Sequence, residues 1–200
     1  MKNMNFFKKH ASWSLNRMRL PGLLILIGAG FLGGYLVAIQ YKGNVHTIIA
    51  GQAYRSNQPS PSRIAQLKAL YGIKTIINLR GAEPGAKWYD DEVAASKALG
   101  IQHTNYAMSS SRQLTAERTR ELIALMQNAE KPILLHCKAG SDRTGLAAAL
   151  YVAAVAKGSE RKAEGQMSIA YGHFGLPFSP TYAMEQSFEA IEPELGFPGS

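Results

Sequence analysis

Cysteine is nearly absent from these 200 residues: Cys137 is the only one. A lone thiol has no intrachain partner, so a disulfide framework is excluded, as is a zinc site built from several thiolates. Acidic residues are missing from the first 42 positions, where Lys2, Lys8, Lys9, Arg17, Arg19 and Lys42 stand unopposed. Charge of either sign is missing from Leu20 to Tyr41, and no internal repeat or low-complexity segment occurs. With 46% apolar and 18% charged residues, the chain is too apolar and too weakly charged to remain disordered. Its formal charge of +8 is an end effect, because the first 42 residues carry +6 of it. Residues 43–200 hold 16 basic and 14 acidic side chains and lack a basic stripe with interleaved aromatics, so no nucleic-acid partner is expected.

What stands in the uncharged stretch is LPGLLILIGAGFLGGYLVAIQY, residues 20–41. About 20 apolar residues at 1.5 Å rise cross the hydrocarbon core, so this run reads as one transmembrane helix following a basic segment, residues 1–19. A cleavable signal peptide shares the basic-then-apolar pattern. The run is long for one, however, and the small residues Gly51 and Ala53 lie far downstream of it, so the expectation is an uncleaved anchor. More basic residues precede the run than follow it, which predicts a cytoplasmic amino terminus and a periplasmic domain in a bacterial inner membrane. Gly30 and Gly34 form a GxxxG pair, by itself a weak signal for helix pairing.

Beyond Gly43, strand and helix signals alternate. Strands are expected over 52–55, 74–79, 101–106 and 132–136. Helices are expected over 62–71, 88–99, from Thr115 onward, 144–156, 160–171 and 180–191, before a Pro/Gly-rich tail at 193–200. The runs KTIINL and PILLH are apolar without alternation, as strands buried on both faces are. The pattern predicts an α/β domain over 44–192, a mostly parallel sheet flanked by helices, with its ligand beyond the carboxyl ends of the strands.

The segment after PILLH is His136-Cys137-Lys138-Ala139-Gly140-Ser141-Asp142-Arg143-Thr144-Gly145. A buried strand would deliver the only thiol to a short loop that runs into a helix. Backbone N–H groups of Lys138 to Arg143 can turn inward around a phosphate-sized anion, and the positive end of the helix dipole points to the same place. That environment favours a thiolate. Arg143 can grip two anion oxygens at once, Gly140 permits the tight turn, and the Thr144 hydroxyl can donate to sulfur or assist a water.

HCKAGSDRTG resembles the HCxxGxxR[ST]G signature loop of cysteine-dependent tyrosine and dual-specificity phosphatases. The resemblance extends over roughly residues 50–175, through AYRSNQPS, GIKTIINLR, WYDDE, MSSSRQLT and YGHFG. It implies a dual-specificity-phosphatase-like fold in which Cys137 attacks phosphorus and forms a phosphocysteine. Lys138, Ala139, Gly140, Ser141 and Arg143 would hold the phosphoryl oxygens, and His136 would buttress the loop and tune the thiol. No metal or organic cofactor is implied.

One departure from the family pattern concerns the general acid. Such phosphatases carry an Asp on a loop some 30 residues before the cysteine, where this chain has Ser111 and no Asp between Asp91 and Asp142. Glu117 fits a solvated first-turn position better than a catalytic one. Asp142, directly before Arg143, resembles the loop Asp of myotubularin-like and some bacterial lipid and tyrosine phosphatases, in which it serves as the acid. The alternative is that Asp142 only pairs with a basic neighbour on the outer side of the loop.

Lys138 would add a cation at the mouth, as in phosphatases that accept phosphoinositides. Arg55, Arg80 and Arg112 fall near strand ends and can frame the pocket, although each alone reads more simply as a surface charge. Tyr171-Gly172-His173-Phe174 is expected to pack near the site, with His173 in the core or at the rim rather than on a metal. The leading expectation is phosphotyrosine hydrolysis, with phosphoserine or phosphothreonine as further substrates. A lipid or inositol phosphate phosphatase, for example one acting on phosphatidylglycerol phosphate, and an inactive phosphate-binding adaptor stay open as alternatives.

Overall fold

A computed structural model describes the backbone of residues 4–197 and the side chains of residues 21–197. The chain divides into two compact units, Met1–Ala38 and Ile39–Ser200. The first is the bulk of a single helix, α1 (Met4–Tyr41), which carries Pro21 within it. Its part from Pro21 to Tyr41 is long and apolar enough to cross a membrane, with mean hydropathy 2.2, and its side chains are almost all exposed.

The second unit holds a five-stranded sheet in the order β1-β2-β5-β3-β4. The strands are β1 (His46–Ile49), β2 (Ala53–Ser56), β3 (Thr75–Asn78), β4 (Gln102–Asn105) and β5 (Ile133–His136). All neighbours pair in parallel except β1, an antiparallel edge strand against β2. Four of the five match the strands expected from sequence, to within one or two residues at their ends. β1 is an addition to that expectation: its four residues HTII pair with β2 through an irregular register between Thr47 and Ile49.

Local chemistry explains where the helices begin and end. α2 (Pro61–Tyr71) is capped by the Ser60 side chain, opens on Pro61 and stops at Gly72 in the left-handed conformation. α3 spans Lys87–Ala98. α4 (Ala116–Asn128) is capped by Thr115, whose hydroxyl accepts from the Arg118 N–H. α5 (Asp142–Leu150) leaves the signature loop and is buried throughout from Thr144.

Three helical expectations need correction. The helix expected over 144–156 ends as α-helix at Leu150 and continues as a wider π turn, Tyr151–Val155, in which the Ala156 N–H donates to the Tyr151 carbonyl. The helix expected over 160–171 is α6 (Glu160–Glu164) and a separate 3₁₀ turn, Ile169–Tyr171. The segment from Pro180 begins with a 3₁₀ turn and continues as α7 (Ala183–Glu189), with α8 (Glu192–Leu195) lying mostly in the stretch expected to be tail.

Apolar residues pack on both faces of the sheet. Ile77, Ile133 and Leu135 face the α4, α5 and α7 side, where Leu122, Met126, Leu146, Leu150, Met184 and Phe188 are buried. Ile76 and Leu134 face Ile64 and Leu67 of α2 and Ile73 on the other side. Each fully buried Leu or Ile here contributes about 1.5–3 kcal/mol, so the central strands are rigid supports for the loops at their carboxyl ends.

Candidate active site

Three parallel strands end at one place. Cys137 follows β5 directly, Leu79 follows β3, and Met108 lies three residues beyond β4. Arg143 Nη1 reaches both other strand ends, 3.3 Å from the Met108 carbonyl and 3.5 Å from the Leu79 carbonyl. Cys137 is 3% exposed, so the thiol lies below the surface, while the neighbouring Lys138 is exposed.

The loop's carbonyl oxygens are held outward one by one. The Lys138 carbonyl accepts from the Gln58 N–H at 3.2 Å. The Ala139 carbonyl accepts from Gln40 Nε2 at 2.9 Å and Asn44 Nδ2 at 3.0 Å. Arg55 Nη2 donates to the Gly140 carbonyl at 2.9 Å and, more distantly, to the Ser141 carbonyl at 3.4 Å. In a trans peptide the C=O and N–H of one unit point in opposite directions. Holding carbonyls 138 to 141 outward therefore turns the N–H groups of Ala139, Gly140, Ser141 and Asp142 to the inner side. The Gly140 N–H donates to Cys137 Sγ at 3.3 Å. Four such groups at the amino end of α5 form an anion cradle.

Gly140 can be nothing else. Its φ is +71°, and a Cβ there would lie 2.7 Å from the backbone of Ser56 and Asn57. Thr144 is fully buried, and its Oγ1 has no hydrogen-bond partner among the described residues, which leaves it available to a bound group or water.

Behind the loop, His136 and Glu92 are both fully buried, with His136 Nε2 2.8 Å from Glu92 Oε1. His103 Nε2 lies 2.7 Å from the same oxygen, and Gln58 Nε2 donates to Oε2. Burial alone would raise the Glu92 pKa, but hydrogen bonds from His103, His136 and Gln58 outweigh it and hold the group at about 2. The carboxylate only accepts, so both imidazoles present N–H at Nε2. Gln58 is in turn gripped by Arg80 at 2.8 Å, whose guanidinium lies 3.3 Å above the Trp88 ring.

Asp142 proves to be paired. His173 Nδ1 lies 2.7 Å from Asp142 Oδ1, and the other ring nitrogen bonds Glu185 of α7. His173 is 1% exposed; burial lowers its pKa, but bonds to Asp142 and Glu185 more than compensate, so the net shift is upward. Asp142 thus takes part in a carboxylate–imidazole–carboxylate chain while its side chain keeps 26% exposure.

The sequence-predicted residues fall into two groups. Cys137, Lys138, Ala139, Gly140, Ser141, Asp142, Arg143, Thr144 and His136 are all in or directly behind one loop. Arg112, Ser111 and Glu117 lie outside it, and Glu117 occupies the first turn of α4 as expected of a solvated residue. Arg55 corrects the surface-charge reading: it is completely buried, lies 3.9 Å from the Tyr171 ring and braces the loop. Burial lowers its pKa to about 10, so it remains a cation at neutral pH.

Sequence reasoning assigns no role to Glu92, Gln58, Gln40 and Asn44: Glu92 and Gln58 lie in the segments WYDDE and AYRSNQPS but nothing there singles them out, and Gln40 and Asn44 carry no motif signal. Among the described residues one carboxylate group, Glu160, Glu164 and Glu192, has oxygens within 4.8 Å of one another and includes no residue of the loop.

This α/β fold, with a cysteine and an arginine on one anion-cradling loop, defines a cysteine-type phosphatase. Residues 32–162 match the model of the tyrosine phosphatase family, and the chain belongs to that family. No curated protein matches it. Among solved structures it is similar to P. aeruginosa TpbA, a cysteine-to-serine form in complex with phosphotyrosine. That match has 21% identity, covers 80% of this chain and 93% of that one, and has a TM-score of 0.60. The core catalytic domain of the S. cerevisiae PP-IP phosphatase SIW14, in complex with citrate, matches at 19% identity over 78% of this chain and 94% of its own, with TM-score 0.57. PTPMT1 matches at 14% identity over 76% and 98%, with TM-score 0.56. At these identities the likeness concerns the fold.

Proposed function

We propose that the protein hydrolyses phosphomonoesters through a phosphocysteine, with phosphotyrosine in proteins as the leading substrate. The observation that carries this reading is the set of outward-held carbonyls after Cys137, which turns four N–H groups inward, that of Gly140 onto the sulfur. Cys137 Sγ attacks phosphorus in line, the S–P bond forms, and the P–O bond to the leaving group breaks. Arg143 swings from the Leu79 and Met108 carbonyls to two equatorial oxygens, and the cradle stabilises the charge on them. Asp142 acts in its protonated form, giving the proton on Oδ2, the oxygen not bonded to His173, to the leaving oxygen. A water then attacks phosphorus, returns a proton to Asp142 and releases inorganic phosphate and the Cys137 thiolate. The deep position of the thiol favours a substrate whose phosphate stands out from its carrier, as in phosphotyrosine.

A second reading, a lipid or inositol phosphate phosphatase, is favoured by exposed Lys138 next to Cys137 and by the apolar helix. SIW14, similar in fold, is described as a PP-IP phosphatase. The helix Pro21–Tyr41 supports a single-pass anchor, and the basic residues before it support a periplasmic domain. Protease accessibility in intact and permeabilised cells tests that orientation.

The function itself is tested with the full chain in detergent micelles, given p-nitrophenyl phosphate, phosphotyrosyl peptides and phosphatidylglycerol phosphate in parallel. Faster turnover of the peptides, abolished by Cys137→Ser, is expected. Preference for the lipid selects the second reading, and oxyanion binding without turnover of any substrate selects an adaptor.

A further inference from the structure

The loop is braced from an unexpected direction. Gln40 is the penultimate residue of α1, and Asn44 follows it by four positions, yet both belong to the same compact unit as the loop. Their amide groups donate to one acceptor, the Ala139 carbonyl, at 2.9 and 3.0 Å. That carbonyl belongs to the peptide whose N–H, on Gly140, points at Cys137 Sγ.

Every hydrogen-bonding group of these two side chains is engaged. Asn44 Nδ2 also donates to the Tyr171 carbonyl at 2.9 Å, and Asn44 Oδ1 lies 3.0 Å from His46 Nε2. Asn44 is 1% exposed and sits at φ +48°, a left-handed conformation that asparagine adopts more readily than other non-glycine residues. The Gln40 carbonyl and Oε1 both accept from Asn57 Nδ2, while the Asn57 N–H donates to the Gly43 carbonyl. The turn that ends α1 is therefore stitched to the residues following β2 and, through Ala139, to the loop.

We propose that Gln40 and Asn44 are positioning residues of the anion cradle, setting the Ala139–Gly140 peptide so that its N–H faces sulfur and phosphate. The end of the apolar helix is then a working part of the phosphate site, in addition to being its tether. The two donors act through the peptide plane: once they are lost, nothing else among the described contacts holds the Ala139 carbonyl outward, and the peptide is free to flip and present an oxygen to the anion. The inference rests on the phosphatase reading above, but its test needs only oxyanion binding.

The test uses the full chain in detergent micelles, with orthovanadate as the probe and its affinity measured by calorimetry. Gln40→Leu keeps the helix and removes the donor to Ala139 together with the Oε1 acceptor of Asn57 Nδ2, while the Gln40 backbone carbonyl still accepts from that amide. Gln40→Lys restores a donor of similar reach, and Asn44→Ala removes the second donor. Loss of both donors, in the Gln40→Leu/Asn44→Ala protein, is expected to weaken vanadate binding about 10- to 100-fold and loss of either alone by a smaller measurable factor, with kcat for p-nitrophenyl phosphate falling in parallel. Gln40→Lys is expected to recover most of the affinity.

A Gln40→Leu protein that melts at a lower temperature yet binds vanadate as tightly as the wild type overturns the proposal, as does a Gln40→Lys protein that binds no better than Gln40→Leu. If Asn44→Ala fails to fold, the Gln40 pair decides alone. Wild-type protein that binds vanadate but turns over no phosphomonoester contradicts the phosphatase reading and leaves the cradle result standing.

Discussion

Asp142 and His173 form a hydrogen bond of 2.7 Å that ties the residue before Arg143 to the carboxyl-terminal part of the fold, where Glu185 receives the other ring nitrogen. Oδ1 of this carboxylate is thus committed to His173, and under the proposed mechanism Oδ2 is the oxygen that serves a leaving group. A general acid matters most where the departing oxygen is a poor leaving group. Asp142→Asn is expected to slow alkyl and phenyl phosphates roughly 100-fold while slowing p-nitrophenyl phosphate little. Rates against leaving-group pKa check this; equal slowing of good and poor leaving groups removes Asp142 from the acid role.

The same bond makes stability depend on pH. The His173 pKa in the fold lies above its ordinary 6.5, so the stabilising effect of the proton is complete below about 6.5 and is lost as pH rises through the raised value. Denaturant unfolding of wild type and His173→Gln across this range is expected to show a stability difference that shrinks toward high pH. A difference constant with pH would contradict a charged His173.

Glu92 gives the opposite slope. Its pKa is held at about 2, below the ordinary 4.5, so its contribution is present above 4.5 and disappears as pH falls toward 2. Glu92→Gln sets an amide against Gln58 Nε2 and is expected to cost about 2 kcal/mol at neutral pH, with the difference closing in acid. Urea unfolding measures it. Because His136 precedes Cys137, lower activity per folded molecule is expected as well.

Glycine positions in and after the loop separate geometry from mere size. Gly140→Ala puts a Cβ 2.7 Å from the Ser56 and Asn57 backbone at a positive φ, and is expected to lower kcat about 100-fold or more by displacing the cradle. Gly145→Ala meets the flexible Met167 side chain at 3.2 Å and the Gln166 carbonyl at 3.3 Å, contacts that shifts of a few tenths of an ångström relieve, and is expected to keep most of the activity. Comparable losses in both variants would argue against a specific requirement at Gly140.

Much of this organisation is legible in the amino-acid sequence, because it is contiguous in the chain. Strand β5, the loop and α5 follow one another without interruption, and apolar runs such as KTIINL and PILLH signal strands buried on both faces. What the sequence does not reveal depends on distance along the chain. Glu92 meets His136 across 44 positions and Gln40 meets Ala139 across 99, contacts that no local pattern encodes. Arg55 reads as a surface charge because its partners are the Gly140 and Ser141 carbonyls of the loop and the carbonyl and side-chain amide of Gln166, none of them an acid that residue types would reveal. Edge strand β1 escapes because His46 and Thr47 in a four-residue segment give neither alternation nor a continuous apolar run. The helix after the loop reads as regular since its composition, rich in Ala and Val, carries no mark of a π turn.

The central claim is that Cys137 carries the phosphoryl group during turnover. Acid quenching of the full-length protein during hydrolysis of p-nitrophenyl phosphate, followed by mass spectrometry of its peptides, tests this most directly. A phosphoryl group on the peptide containing Cys137, absent from Cys137→Ser, is the predicted result. A phosphoryl group on another residue, or undiminished turnover by Cys137→Ser, would contradict the account.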